Sequence, residues 1–202
     1  MSVSSVTSNM GQGNMQSTGR TLDLAIQGNG WFAVSKSNSP DEASTFYTRE
    51  GVFYIDNEGN LVNSNGYYLL DTGGDIISLG TDGVATLSIS EAGVITGKDL
   101  NDNDLGPFTI GLAMFPNQDG LERAGQNLFR QSAASGELID GSLGEPAMDG
   151  YGSISSHYLE MSNVDLTDEF TNMIITQRGY QASARTITTS DQMLEELLNV
   201  KR

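Results

Sequence analysis

The residues Asp71-Thr72-Gly73, inside the stretch YLLDTGGD, combine type and spacing in a way that could do chemistry. Two apolar residues followed by Asp-Thr-Gly suit aspartic-protease chemistry, in which two closely held carboxylates share one proton and activate water. That chemistry needs a second carboxylate. The chain has no second Asp-Thr-Gly or Asp-Ser-Gly, so Asp71 could be catalytic only in a dimer. A dimeric enzyme would also place an Ile/Leu-rich segment ending in Gly beneath the loop, and VITG (94–97) and FTIG (108–111) fit that need poorly. The same residues equally satisfy a turn, because Asp, Thr and Gly hydrogen-bond locally or accept unusual backbone angles.

Other chemistries fall away. Asp99, Asn101, Asn103 and Asp104 crowd together like calcium ligands, yet an EF-hand loop counted from Asp99 would need Gly where Asp104 stands and Glu where Ile110 stands. His157 is the single histidine and cysteine is absent. Histidine triads, thiol catalysis, disulfides and thiolate metal sites are thereby excluded. GNG and TGG lack the strand–loop–helix setting of a phosphate loop. The residues imply no enzyme, no cofactor and no metal.

The elements that carry these residues are set by composition. Of 202 residues, 37% are hydrophobic and 18% charged, which supports a packed core. With 24 Gly against 4 Pro, the chain reads as many short strands joined by turns. Ten Lys and Arg face 26 Asp and Glu, a net charge of −16 that argues against nucleic acid or an anionic membrane as partner. The first twenty residues lack the apolar core of a secretory signal, and no apolar run reaches the roughly 20 residues that cross a bilayer.

Residues 1–21, rich in Ser, Thr, Asn, Gln and Gly, read as an extended N-terminal arm ordered only by docking. Residues 22–160 read as a β-rich body. LDLAIQG and WFAVSK alternate around Gly28-Asn29-Gly30, which predicts a hairpin. FYTRE, VFYID, LVNS, YYLLDT, IISL, ATLSIS, VITGK and PFTIGLAMF follow as further strands, and the spacing predicts an antiparallel sandwich or barrel.

Residues 161–202 change character, with one Gly and no Pro. Apolar residues step by fours and threes through Leu166, Phe170, Met173, Tyr180, Ala184, Ile187, Leu194 and Leu198, with polar Gln177 and Asp191 in the same register. This predicts a long helix capped by Ser162 or Asn163, with Asp165, Asp168 and Glu169 at its positive end and Lys201-Arg202 at its negative end. A helix of about 35 residues runs about 50 Å, so its seam meets either another helix or its own sheet. The fold class expected is mainly β with α: an antiparallel β-rich body plus one long C-terminal helix.

Several segments resemble one known family. QSTGRTLDLAIQGNGWFAV and FYTREGVFYIDNEGNLVNSNGYYLL, then PNQDGLERAGQNLFRQSAASG, then YLEMSNVDLTDEFTNMIITQRGYQASARTITTSDQMLEELLNVKR are similar to the bacterial flagellar hook and rod proteins, in the family's order and over most of the chain. MSNVDLTDEF and TQRGYQ look more like hook than distal rod proteins, whose versions read closer to ASNVNVVEEM and TQRAYE. The short middle, residues 71–107, is similar to compact hook proteins without a large outer domain. Family members begin with an amphipathic helix and an Asn-x-x-Thr-x-Gly-Tyr/Phe motif. Only 21 residues precede LDLAI here, so the resemblance implies that the helical mate of the C-terminal helix is missing.

The resemblance implies a structural subunit of the flagellar hook. It would polymerise with copies of itself into a helical tube that transmits torque from rod to filament, beside other axial proteins (rod, hook cap, hook–filament junction). It implies export by the type III apparatus to an extracellular position, with neither nucleic acid nor membrane insertion. The assembly seam would be Leu166, Phe170, Met173, Gln177, Tyr180, Ala184, Ile187, Leu194 and Leu198. The distal rod protein is the rival within the family. A dimeric aspartic protease using Asp71, and a β-sandwich binding module with a helical tail, are the rivals outside it.

Overall fold

A computed structural model describes residues 10–38, 40, 44–81 and 83–200. It divides into a β body, Met1–Asn163, and a helical unit, Val164–Arg202.

In the body the strands are β1 (Met15–Ser17), β2 (Leu24–Gln27), β3 (Trp31–Ser35), β4 (Thr45–Thr48), β5 (Phe53–Ile55), β6 (Leu61–Asn63), β7 (Tyr68–Leu69), β8 (Val84–Ile89), β9 (Val94–Asp99), β10 (Asp104–Thr109), β11 (Leu112–Ala113), β12 (Glu122–Gly125), β13 (Leu128–Arg130), β14 (Ser153–Ser156) and β15 (Tyr158–Glu160). Every pairing between them is antiparallel, as expected. The main sheet runs β12-β13-β4-β3-β7-β6-β5, with β11 also on β3. A separate sheet runs β10-β9-β8, and β14-β2 and β1-β15 form two-stranded ribbons.

Strand β3 shows how alternation becomes packing. Phe32 and Val34 enter one apolar cluster with Phe53, Leu61, Leu69 and Ile95, while Trp31 and Ala33 enter a second with Tyr47, Leu70, Phe115 and Leu121. A strand buried on both faces needs apolar residues at consecutive positions, which WFAV supplies. Edge-to-face pairs, Phe32–Phe53 at 5.4 Å and Tyr47–Phe115 at 4.8 Å, fill the two sides.

The hairpin expected around Gly28-Asn29-Gly30 does not form. Strand β2 pairs with β14, whereas β3 pairs with β4, β7 and β11. Gly28 and Gly30, with φ of 111° and 139°, turn the chain between two sheets, and local turn chemistry cannot distinguish that corner from a hairpin. IISL likewise stays an extended segment, joined by the isolated bridges Leu70↔Ile76 and Asn60↔Ser78, although its Ile77 lies fully in the core.

One turn is used five times. Asp56, Asn63, Asp71, Ser90 and Asp99 each accept at their carbonyl an N–H from three residues on, at Gly59, Gly66, Gly74, Gly93 and Asp102. The same five residues exchange a backbone hydrogen bond with the residue four on, whose N–H also reaches their side-chain oxygen at 2.8–3.2 Å. The fourth residue of each turn has positive φ, between 67° and 83°. These are three-residue hairpin loops whose left-handed position favours Gly and whose side-chain acceptor favours Asp, Asn or Ser.

Asp99 extends the device, because Asn101 N and Asn103 Nδ2 also donate to its carboxylate, at 2.7 and 2.9 Å. The Asn103 side-chain bond first, then the backbone N–H groups, hold its pKa below the ordinary aspartate value. The stability this contributes is fully present above the unfolded value of about 3.9 and is lost as pH falls through the lower folded value. Acidification below about pH 4 is therefore expected to speed amide exchange in β8–β10, with a smaller acid effect in Asp99→Asn, measured by hydrogen–deuterium exchange at paired pH values.

The helical unit is one element, α1 (Leu166–Val200), 35 residues long. Its cap is Asp165, whose Oδ1 accepts the Thr167 N–H at 2.8 Å. This corrects the expectation of Ser162 or Asn163, because Asn163 donates to Gly11 O instead. The Thr167 N–H bond lowers the Asp165 pKa. Asp168 and Glu169 occupy the first turn as expected, and Lys201-Arg202 lie outside the described residues.

Candidate assembly interface

Leu166, Phe170, Met173, Gln177, Tyr180, Ala184, Ile187, Leu194 and Leu198 all lie on α1, and none is buried. Leu166 is 68% exposed, Tyr180 69%, Ile187 64% and Leu198 72%. With Asp191 they continue one step of four and three through the helix. A strict seven-residue repeat drifts about 20° per heptad on a straight helix, so such a stripe lies flat only against a partner around which it supercoils left-handedly. Off the stripe, Thr171, Thr176, Ser183 and Ser190 hydroxyls donate to carbonyls one turn back, and so satisfy themselves within the helix. Ile174 and Leu197 are also exposed beside the stripe and widen it, while Ile175 is exposed on the opposite face of the helix.

In the body, one network ties the arm to the strand that leads toward α1. Residues 10–17 dock on the body: β1 pairs with β15, and Gln12 bridges β2 by donating to Ile26 O and accepting from Gly28 N. Arg49 is at the centre. Its Nη1 donates to Gly28 O and Gly30 O, each at 2.9 Å, and its Nε lies 3.4 Å from Glu160 Oε2. Glu160 Oε1 accepts the Gly13 N–H at 2.9 Å, while its Oε2 is buried with no hydrogen bond and only the Arg49 charge to balance it. The guanidinium also lies 5.9 Å from the Trp31 ring centroid. Burial lowers the Arg49 pKa and Glu160 opposes that shift. Beside this network is an open cleft lined by Met10, Trp31, Arg123, Phe129 and Met161 among others.

Arg49 and Glu160 were not singled out from the sequence. They stand 111 positions apart, and no local spacing couples them. Asp71 is placed in the third of the five turns, where Oδ1 accepts the Asp75 N–H at 2.9 Å. The calcium-like cluster points its Asp99 oxygens at its own turn, and no group of three or more metal-binding side chains occurs among the described residues. His157 occupies a left-handed kink between β14 and β15, its ring beside the Ser156 hydroxyl.

Residues 25–97 match the family described as "Flagellar hook protein FlgE/F/G D1 domain", and residues 155–200 match "Flagellar basal body rod FlgEFG protein C-terminal". The chain is 46% identical to the flagellar basal-body rod protein FlgG of Bacillus subtilis over 93% of its own length and 68% of that protein's. The chain belongs to the flagellar hook and rod axial protein family. It is also 39% identical to FlgG of Agrobacterium fabrum, over 90% of the chain and 65% of that relative. To the flagellar hook protein FlgE of Treponema pallidum it is 49% identical, over 56% of the chain and 24% of that protein. It thus spans about two thirds of the rod relatives it matches. The first matched region holds Arg49 and the two-sided strand β3, and the second holds Glu160 and the whole heptad stripe.

Proposed function

We propose that this chain is a structural subunit of the flagellar axial polymer, stacking head to tail into a helical tube that carries torque between rod and filament. The observation that carries the reading is the 35-residue helix with a continuous heptad stripe and no buried residue. Such a stripe is completed by a neighbouring helix, and repeated heterologous contacts between identical subunits generate an open helix. Its partners are copies of itself and the adjoining axial proteins of rod, hook cap and hook–filament junction. Its place is outside the cell after type III export.

Two positions in the tube draw on different observations. The hook position is supported by MSNVDLTDEF, by TQRGYQ and by the likeness to the Treponema hook protein. The distal rod position is supported by likeness to rod proteins over nine tenths of the chain, the short middle included. Gold labelling of an epitope-tagged chain on isolated hook–basal bodies separates them. Label along the curved hook assigns the first, label on the rod the second, and label on neither overturns the axial reading.

Asp71 takes no catalytic part in this reading. Asp71→Asn, which keeps the Oδ1 acceptor, is expected to leave the melting temperature nearly unchanged, whereas Asp71→Ala loses the turn bond at a cost of about 1 kcal/mol. Acid-pH cleavage of peptides that disappears in Asp71→Asn would revive the protease.

A further inference from the structure

The body carries its charge unevenly. No Lys or Arg occurs between Arg130 and Arg178, a span that holds Glu137, Asp140, Glu145 and Asp149 in one loop. All four are exposed, with Ile139 at 47% and Met148 at 55% exposure beside them. Asp140 already accepts the Tyr151 hydroxyl at 2.9 Å, burial and that bond raising the Tyr151 pKa to about 12. Glu145 and Asp149 form no ion pair among the described residues.

The opposite feature lies on the β12–β13 hairpin. Arg20, Arg49 and Lys98 are each paired with a carboxylate, whereas Arg123 and Arg130 form no ion pair among the described residues. Both guanidiniums are instead held over rings, Arg123 over Phe129 at 5.8 Å and Arg130 over Phe46 at 5.1 Å. Phe46, Tyr67 and Leu128 line a groove between them of about 290 Å³, in which Glu122, opposite Arg130 on the hairpin, is the one acidic group against the two arginines. Stacked guanidiniums lose little freedom when they meet a carboxylate, and the ring floor offers apolar surface beside them. Strand β12 is in addition the outer strand of the main sheet, and all four of its residues are exposed.

We propose that the Arg123–Arg130 hairpin of one copy receives the Glu145–Asp149 loop of a second copy. The inference rests on the reading of the chain as a self-assembling subunit, and it names one contact of that assembly. A chain of net charge −16 repels its copies, and a contact where unlike charges meet offsets part of that repulsion. The hairpin and loop are different surfaces, so the contact is heterologous and repeats from copy to copy.

Sedimentation velocity at about 0.15 M salt tests it, where a Debye length of about 8 Å screens the net repulsion between copies more than it screens a close ion pair. The wild-type chain is expected to associate beyond dimers there. Arg123→Gln/Arg130→Gln and Glu145→Gln/Asp149→Asn are each expected to associate about tenfold more weakly, with unchanged melting temperatures because the altered groups are exposed. An equimolar mixture of the two variants retains one intact hairpin and one intact loop per pair, and is expected to stop at a dimer. Variants that associate as strongly as wild type overturn the contact and leave the polymer reading standing. A wild-type chain that stays monomeric at about 0.15 M salt overturns the contact too, and the labelling of hook–basal bodies then judges the axial reading separately.

Discussion

Replacing Arg49 by methionine is expected to destabilise the body by about 3 kcal/mol, because it leaves the largely buried Glu160 carboxylate without its balancing charge. The Gly28 and Gly30 carbonyls lose their donors in the same step. For a chain of this size that corresponds to a melting temperature lower by about 6–12 °C. Arg49→Lys keeps the charge, but one ammonium cannot span two carbonyls and a carboxylate, so about half the loss is expected to remain. Adding Glu160→Gln to Arg49→Met removes the stranded charge, and the double variant is expected to recover about 1–2 kcal/mol relative to additivity. The effect is also local in origin. Amide exchange is expected to rise first in residues 10–17 and 158–163, which the network holds together, while β3 stays protected. Equal melting of Arg49→Met and wild type, or uniform loss of protection, would show that Arg49 is only one more surface cation.

How much of this was legible beforehand follows from the range of each interaction. The five turns could have been read from the chain, since D-N-E-G-N, N-S-N-G-Y, D-T-G-G-D, S-E-A-G-V and D-L-N-D-N share an acceptor at the first place and a residue tolerant of positive φ at the fourth. Recognising that repeat would have settled Asp71 from the sequence itself. The antiparallel body was legible because alternation and turn residues act over few positions, and the long helix because its period persists for 35 residues. The corner at Gly28-Asn29-Gly30 was misread because hairpin and sheet change ask the same angles of those residues. The difference lies in Ser153–Ser156, more than 120 positions away, which takes β2 as its partner. Arg49 with Glu160 was hidden for the same reason. The helix cap moved from the expected Ser162 or Asn163 to Asp165, next to the first helical residue Leu166, and the Asn163 side chain is drawn to Gly11, a long-range competitor that propensity does not weigh.

The second large effect belongs to the stripe. Ile187→Lys is expected to leave the melting of the body unchanged, since Ile187 is 64% exposed among the described residues and Lys is the better helix former. Assembly into the tube is expected to fail, because each copy would place an ammonium in an apolar seam, which costs several kcal/mol at every repeat. The polar members Gln177 and Asp191 predict the reverse. They stand where apolar residues would pack, so they weaken the seam while fixing its register. Gln177→Leu with Asp191→Leu is expected to give a tighter and stiffer polymer, read as slower disassembly on dilution and straighter particles by electron microscopy. On the proposed hook reading, a tube that bends while turning needs a seam weak enough to yield and a register definite enough to re-form, which polar residues in an apolar stripe supply. If the double leucine variant assembled and bent as the wild type does, Gln177 and Asp191 would have no such role.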